Sequence, residues 1–176
     1  KLECEIAYFE NINLKLESGD IIGSFKLAFK TYGKLNADKT NAILVCHALT
    51  GDQYVAGNNP ITGREGWWSR MVGPNKPIDT NKFFVICSNV LGGCAGSTGP
   101  KEINPETNYS FGMNFPSITI RDIVKTQKYL IEALKIEKLV NLTKNNNMPA
   151  IALTDNNNMF GILEFSIACI NNGIQP

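Results

Sequence analysis

Asn41–Gly51 reads NAILVCHALTG, an apolar run, Ala42–Cys46, that opens into a short polar turn. A run without polar alternation fits a strand buried on both faces, ending in a loop that can carry chemistry. Phe83–Ser88 (FFVICS) repeats the design and runs into Asn89–Gly99, NVLGGCAGSTG. Two buried strands, each leading into a loop of small residues, predict an open α/β sheet. In such sheets the site lies at the carboxyl ends of the strands.

Upstream, residues 4–16 alternate imperfectly through Ile6, Tyr8, Ile12, Leu14 and Leu16, which predicts one strand. Ser18-Gly19-Asp20 is a turn, and Ile21–Tyr32 is a second strand with Phe25, Leu27 and Phe29 on one face. Gly33–Thr40 is a polar connection. Early antiparallel strands beside buried parallel ones predict a mixed sheet with an antiparallel edge. Downstream, Asp52–Gly63 is a loop rich in Gly, Asn and Pro, and Gly66-Trp67-Trp68 begins a short amphipathic piece that ends near Val72. The paired tryptophans serve packing alone or wall a pocket. Gly73–Thr80, with Pro74 and Pro77, is a turn, and Lys101–Pro116, preceded by Pro100 and containing Pro105, is a long loop. Loops of that length are usually functional or disordered. The clearest helix begins after Thr119, an N-cap with Asp122 three residues on, as in a capping box. Ile120, Ile123, Val124, Gln127, Leu130, Ile131 and Leu134 form its apolar stripe, with Arg121, Lys125, Lys128 and Glu132 opposite.

The chain has 176 residues, 43% apolar and 19% charged, with a formal net charge of +1. That is one domain or one and a fraction, with enough chain for a real core. A near-neutral balance without a Lys/Arg cluster argues against a nucleic-acid footprint. No apolar run approaches the roughly 20 residues of a spanning helix, so no membrane segment is expected. The chain starts at Lys1 with no signal-peptide pattern, which predicts a trimmed start or a fragment. Cys4, Cys46, Cys87, Cys94 and Cys169 are odd in number and none are paired at C-x-x-C spacing. A reducing, cytoplasmic setting with neither disulfides nor a zinc site follows. Cys94 lies in the glycine loop, where most such thiols are tolerated rather than reactive.

Several blocks in order now resemble one family: TYGKLNADKTNAILVCHALTGD, EGWWSRMVGPNKPIDTNKFFVICSNVLGGCAGSTGP, INPETN and FPSITIRDIVKTQKYLIEALKIEKL. From about Tyr32 to Leu139 the chain is similar to the amino-terminal part of homoserine O-acetyltransferases, the α/β-hydrolase-fold acyltransferases of methionine biosynthesis. The resemblance implies a two-step transfer, with homoserine and acetyl-CoA as substrates and no cofactor beyond that co-substrate. A Ser takes the acetyl group from acetyl-CoA and passes it to the homoserine hydroxyl; a His acts as base, an Asp orients it and backbone N–H groups hold the oxyanion. One such donor lies after the third strand of the fold. The opening stretch matches that place, which makes the Leu49 N–H the candidate oxyanion donor, with Thr50 next. His47 is the only histidine of the chain. The resemblance puts the working base far downstream, so His47 is expected to orient its loop rather than to act as base.

The family's nucleophile elbow is of the G-G-S-M-G-G kind, where small residues permit a strained strand-to-helix turn. Here Val140-Asn141-Leu142-Thr143-Lys144-Asn145-Asn146-Asn147 stands instead, and no G-x-S-x-G occurs. Nucleophile, acid and base are all absent on this reading. The tail, IEKLVNLTKNNNMPAIALTDNNNMFGILEFSIACINNGIQP, resembles another family over about Ile136–Pro176. This is the polymerase-and-histidinol-phosphatase (PHP) domain that begins bacterial DNA polymerase III alpha subunits. Where that pattern has a metal-binding His, this chain has Asn156, a poor substitute for imidazole. Asp155 alone makes no metal site, and none is expected.

The expected fold is therefore α/β: a truncated α/β-hydrolase-like mixed sheet with helices, residues 1–139, plus a small β-turn-β-α tail, residues 140–176. In the tail Leu139–Leu142 and Ala150–Leu153 are the strands and Phe160–Asn171 the helix, with the seam inside Leu134–Leu142. The leading expectation is a member of the homoserine O-acetyltransferase family, here a truncated or fused remnant without catalytic power. The alternative is a non-catalytic remnant of a DNA polymerase III alpha subunit PHP domain. The face opened by the missing half invites self-association.

Overall fold

The computed structural model describes residues 3–104 and 107–136. The strands expected at Leu139–Leu142 and Ala150–Leu153, the helix at Phe160–Asn171 and Asp155 lie outside the described residues. Within them run β1 (Glu5–Phe9), β2 (Leu14–Lys15), β3 (Ile21–Ile22), β4 (Phe25–Tyr32), β5 (Ala42–Val45), β6 (Val72–Gly73), β7 (Ile78–Asp79), β8 (Phe84–Ser88), a 3₁₀ turn (Gly112–Asn114) and α1 (Ile120–Ala133).

The main sheet has the order β1-β4-β8-β5. Strands β5 and β8 are neighbours and parallel, with Ala42 opposite Phe84 and Val45 opposite Cys87. The two apolar runs thus lie side by side with their loops at one end, and β1 and β4 supply the antiparallel edge. The mixed α/β sheet expected from the sequence is present. Alternation across the pleat explains why β8 is apolar throughout. Ile86 joins Leu27, Phe29, Leu91 and Leu130 on the face that α1 covers, while Val85 and Cys87 join Val45, Val55 and Val72 on the other. Each large side chain so buried contributes about 1.5–3 kcal/mol. Phe9 and Phe25 stack at 4.8 Å, with the Tyr129 ring of α1 edge-on to Phe25 at 5.8 Å.

Three expectations change. Residues 4–16 form two strands rather than one, because Asn11 and Asn13 take positive φ, 55° and 52°. Asparagine tolerates that region and here turns the chain twice. Ile21–Tyr32 likewise breaks at Gly23-Ser24: the Ser24 hydroxyl accepts from the Asn11 N–H at 3.0 Å, and the Gly23 carbonyl accepts from the Asn13 N–H at 3.1 Å. Strands β2 and β3 consequently form a separate hairpin around Ser18-Gly19-Asp20, with Gly19 at φ 95°. The helix, finally, is rotated from its expected stripe. Ile120 and Val124 are more than half exposed and Asp122 and Thr126 are buried instead, while Gln127 and Leu130 of the expected stripe are buried as expected.

Asp122 explains that rotation. It completes the capping box with Thr119, and its Oδ1 accepts from the Glu17 backbone N–H of the distant hairpin at 3.1 Å. Lys125 closes on it at 3.1 Å. Three polar partners hold one face of the helix inward at its first turn, and the apolar residues at 120 and 124 are left outside. Burial alone would raise the Asp122 carboxyl. The N–H donors of Thr119 and Glu17, the Thr119 hydroxyl and the Lys125 ammonium outweigh it and hold the group below its ordinary value.

Replacing Asp122 by Ala strips partners from buried N–H groups and is expected to cost about 2–3 kcal/mol, read as a lower urea midpoint. A depressed carboxylate stabilises above its unfolded-state value and stops doing so as pH falls through its folded value. The gap in stability between the parent chain and Asp122→Asn is therefore expected to shrink on acidification below the ordinary carboxylate range.

Candidate functional site

Because β5 and β8 are parallel and in register, the loops that leave their carboxyl ends, Cys46–Gly51 and Asn89–Gly99, meet at one edge of the sheet. His47 spans the gap. Its Nε2 lies 3.3 Å from the Val90 backbone nitrogen and its Nδ1 lies 2.7 Å from the Ala48 carbonyl oxygen. A backbone N–H only donates, so Nε2 accepts, and the ring proton sits on Nδ1 and is donated to Ala48. With its lone pair engaged by Val90, this imidazole is placed to orient the loop rather than to take a proton from a nucleophile.

The loop closes tightly at Gly51, whose N–H donates to the Ala48 carbonyl at 2.7 Å. A Cβ on Gly51 would stand 2.9 Å from the His47 Cβ, so glycine is required by close approach. Between them Leu49 is 82% exposed. Neither the Leu49 nor the Thr50 backbone N–H donates a hydrogen bond among the described residues. Among the described residues these two amides are therefore without a partner at the carboxyl end of β5.

The other loop is fastened both within itself and to distant segments. Asn89 and Ser97 are both buried. Asn89 Oδ1 accepts from the Ala95 N–H at 3.2 Å, while the Ser97 hydroxyl donates to the Asn89 carbonyl at 2.6 Å and accepts from the Ala28 N–H of β4 at 3.0 Å. Thr98 extends the attachment, its Oγ1 accepting from the Lys26 N–H at 2.9 Å. Gln53 donates through Nε2 to the Ala95 carbonyl at 2.9 Å. Gly93 leaves room for Asn89, whose Oδ1 lies 2.5 Å from where a Cβ would be. The Ser97 hydroxyl is thus committed on both sides and is no candidate nucleophile.

Asp52 anchors the wall that follows. Its carboxylate accepts from the Tyr54 N–H at 2.9 Å and from Asn59 Nδ2 at 2.7 Å, and its carbonyl accepts from Trp67 Nε1 at 2.9 Å. Trp67 and Trp68 stack with centroids 5.8 Å apart. Trp68 packs on the apolar cluster beneath, while Trp67 stays 40% exposed beside the loop. Burial drives the Cys87 thiol well above its ordinary value, and desolvation pushes the Tyr32 hydroxyl up to about 12. Cys94 is exposed and unpaired. Among the described residues no group of three His, Cys, Asp or Glu could hold a metal ion, and no helix is long and apolar enough to cross a membrane.

The residues that do most to shape this edge, Gln53, Asn89 and Ser97, were not singled out from the sequence. Their signal is weak: polar side chains beside glycines, able to bond backbone that no strand pairs.

The chain is 57% identical over 129 residues to a homoserine O-acetyltransferase of Caulobacter vibrioides, a match covering 73% of this chain and 34% of that one. It is 60% identical over 126 residues to one from Pelagibacter ubique, covering 72% and 34%. Nearly three quarters of the chain is similar to homoserine O-acetyltransferases. The chain spans about a third of the length of these relatives. Solved structures agree. The homoserine O-acetyltransferase from Bacillus anthracis superposes with a TM-score of 0.64 at 34% identity, covering 75% of this chain and 37% of that one. An esterase superposes with a TM-score of 0.66 at 36% identity, covering 75% and 38%. The fold is that of this α/β-hydrolase-like group. The PHP domain family model matches residues 124–176, beginning inside α1 rather than near residue 136. The likeness to both families expected from the sequence is present.

Ser97→Ala would leave the buried Ala28 N–H and Asn89 carbonyl without their hydroxyl partner. A loss of about 1–3 kcal/mol is expected in urea unfolding, with no change in labelling by serine-directed fluorophosphonates, because Ser97 is not a nucleophile.

Proposed function

We propose that the described residues are the oxyanion-holding portion of a homoserine O-acetyltransferase, which moves an acetyl group from acetyl-CoA to the homoserine hydroxyl. The observation that carries the reading is the available Leu49 N–H, with Thr50 beside it, on the loop after β5. As the acetyl carbonyl is attacked, its oxygen gains negative charge, and preorganised N–H donors stabilise it far more than water does. Identity of 57% to the Caulobacter vibrioides transferase supports homoserine and acetyl-CoA as the substrates. The reading carries with it a cytoplasmic setting, no cofactor beyond acetyl-CoA, and self-association through the face opened by the missing half, where β5 is one of the two edge strands of the described sheet.

The 176 residues contain no G-x-S-x-G, and their one histidine is engaged by Val90. By themselves they are expected to transfer no acetyl group. The test is a chimera joining residues 3–136 to the carboxyl-terminal two thirds of the Caulobacter vibrioides relative. O-acetylhomoserine formation at rates on the order of 1 per second or more is expected. Leu49→Pro, which removes the N–H, should then lower kcat by about 10²–10³. Thiol release that ignores homoserine would instead point to an acetyl-ester hydrolase, the activity named for one of the solved relatives. A silent chimera, or one indifferent to Leu49→Pro, would sink the reading.

The PHP match over 124–176 supports a second reading, a non-catalytic remnant of a DNA polymerase III alpha subunit. Met148–Pro176 contains two carboxylates, Asp155 and Glu164, and no histidine. A preorganised site needs several ligands converging at about 2.0–2.2 Å. Calorimetric titration with Zn²⁺ or Mn²⁺ is expected to show no stoichiometric micromolar binding; such binding, abolished by Asp155→Ala, would restore a metal-dependent role to the tail.

A further inference from the structure

The Ala48 carbonyl and the Leu49 N–H belong to one peptide unit, which is planar, so the direction of the first fixes the direction of the second. Two donors hold that carbonyl at once: His47 Nδ1 and the Gly51 N–H, each at 2.7 Å. The imidazole is in turn aimed from its far side by the Val90 N–H at 3.3 Å. A short chain of hydrogen bonds thus runs from the loop after β8, through the ring, to the peptide that carries the Leu49 N–H after β5. It needs the Nδ1–H tautomer, since the other tautomer would set an N–H against the Val90 N–H and a lone pair against the Ala48 oxygen.

We propose that His47 is a positioning residue. As the Nδ1–H tautomer, held from its far side by the Val90 amide, it grips the Ala48 carbonyl and with it the Ala48–Leu49 peptide plane, and so sets where the Leu49 N–H points. Gly51 is the second jaw of the clamp, and the 2.9 Å approach of its missing Cβ to His47 shows how closely the two are fitted. A carbonyl that accepts two hydrogen bonds also polarises its own peptide, which strengthens the N–H on the opposite side. The ring therefore does two things for the Leu49 amide: it aims it and makes it a better donor to negative charge. This rests on the acyl-transfer reading for its purpose, though not for its geometry.

A single histidine makes the test direct. In the ¹⁵N-labelled 176-residue chain, long-range proton–nitrogen correlation of the imidazole should show a protonated Nδ1 and a bare Nε2; a protonated Nε2 with a bare Nδ1 overturns the proposal. His47→Leu removes the donor to Ala48, and His47→Asn returns an N–H near the position of Nδ1. The Leu49 amide proton and the Ala48 carbonyl carbon are expected to shift in His47→Leu and to move back toward the parent values in His47→Asn, while the α1 resonances hold still. A Leu49 amide indifferent to His47→Leu in a folded chain would overturn it too, and the tautomer remains decisive if that variant does not fold. None of these readouts involves acyl transfer, so the clamp and the chimera's activity succeed or fail separately.

Discussion

Everything at the candidate site depends on the parallel pairing of β5 with β8. Their register, Val45 opposite Cys87, brings the carboxyl ends of two strands to one place, and neither loop has meaning alone. The pairing is fixed from both faces. Ile86 is needed under α1 and Val85 and Cys87 are needed opposite, so a slip of one residue would exchange the two sets. The site's geometry is thus inherited from core packing and not from any contact within the site.

Polar bonding then refines what packing permits. On one side Asn89, Ser97, Thr98 and Gln53 supply the bonds that a regular strand would supply, so the glycine loop behaves as a third partner of β4 without being a strand. On the other, Asp52 ties the following wall by side chain and backbone together. Glycine's small size is used for close approach at Gly51 and Gly93, where no side chain fits. Between these two fastened segments, the peptide at Ala48–Leu49 is held by its carbonyl and open at its N–H.

Much of this was legible in the sequence because burial on both faces leaves an unbroken apolar run, as at Phe84–Ser88. Ala42–Val45 reads the same way and is a strand, although Ala42, Ile43 and Leu44 are half-buried among the described residues; the capping box at Thr119 was legible from its spacing. The Ser18-Gly19-Asp20 turn was legible for a different reason, local backbone chemistry. What stayed hidden depends on distant partners. The breaks at Asn11–Asn13 and Gly23-Ser24 are held by bonds between the two segments, and the exposure of Ile120 and Val124 goes with the reach of Asp122 to the hairpin. Periodicity gave Ile120 and Val124 an inward place that a carboxylate's hydrogen bonds denied them. At the site, the HALTG word marks where the loop lies, but the roles of Gln53, Asn89 and Ser97 follow from backbone groups that no local pattern identifies.

The bond between Glu17 and Asp122 joins positions 105 apart in sequence. On a ribosome adding about 5–20 residues per second, the hairpin is made roughly 5–20 s before the residue that fastens it. Through that interval the β2–β3 corner has only its own short ladder and whatever β1 and β4 offer. Such a distant closure also weighs on the folding rate, since its loop entropy is paid before the contact repays any of it. The first turn of α1 is therefore a late fastener, and the amino-terminal corner of the sheet stays unsecured during synthesis until it arrives.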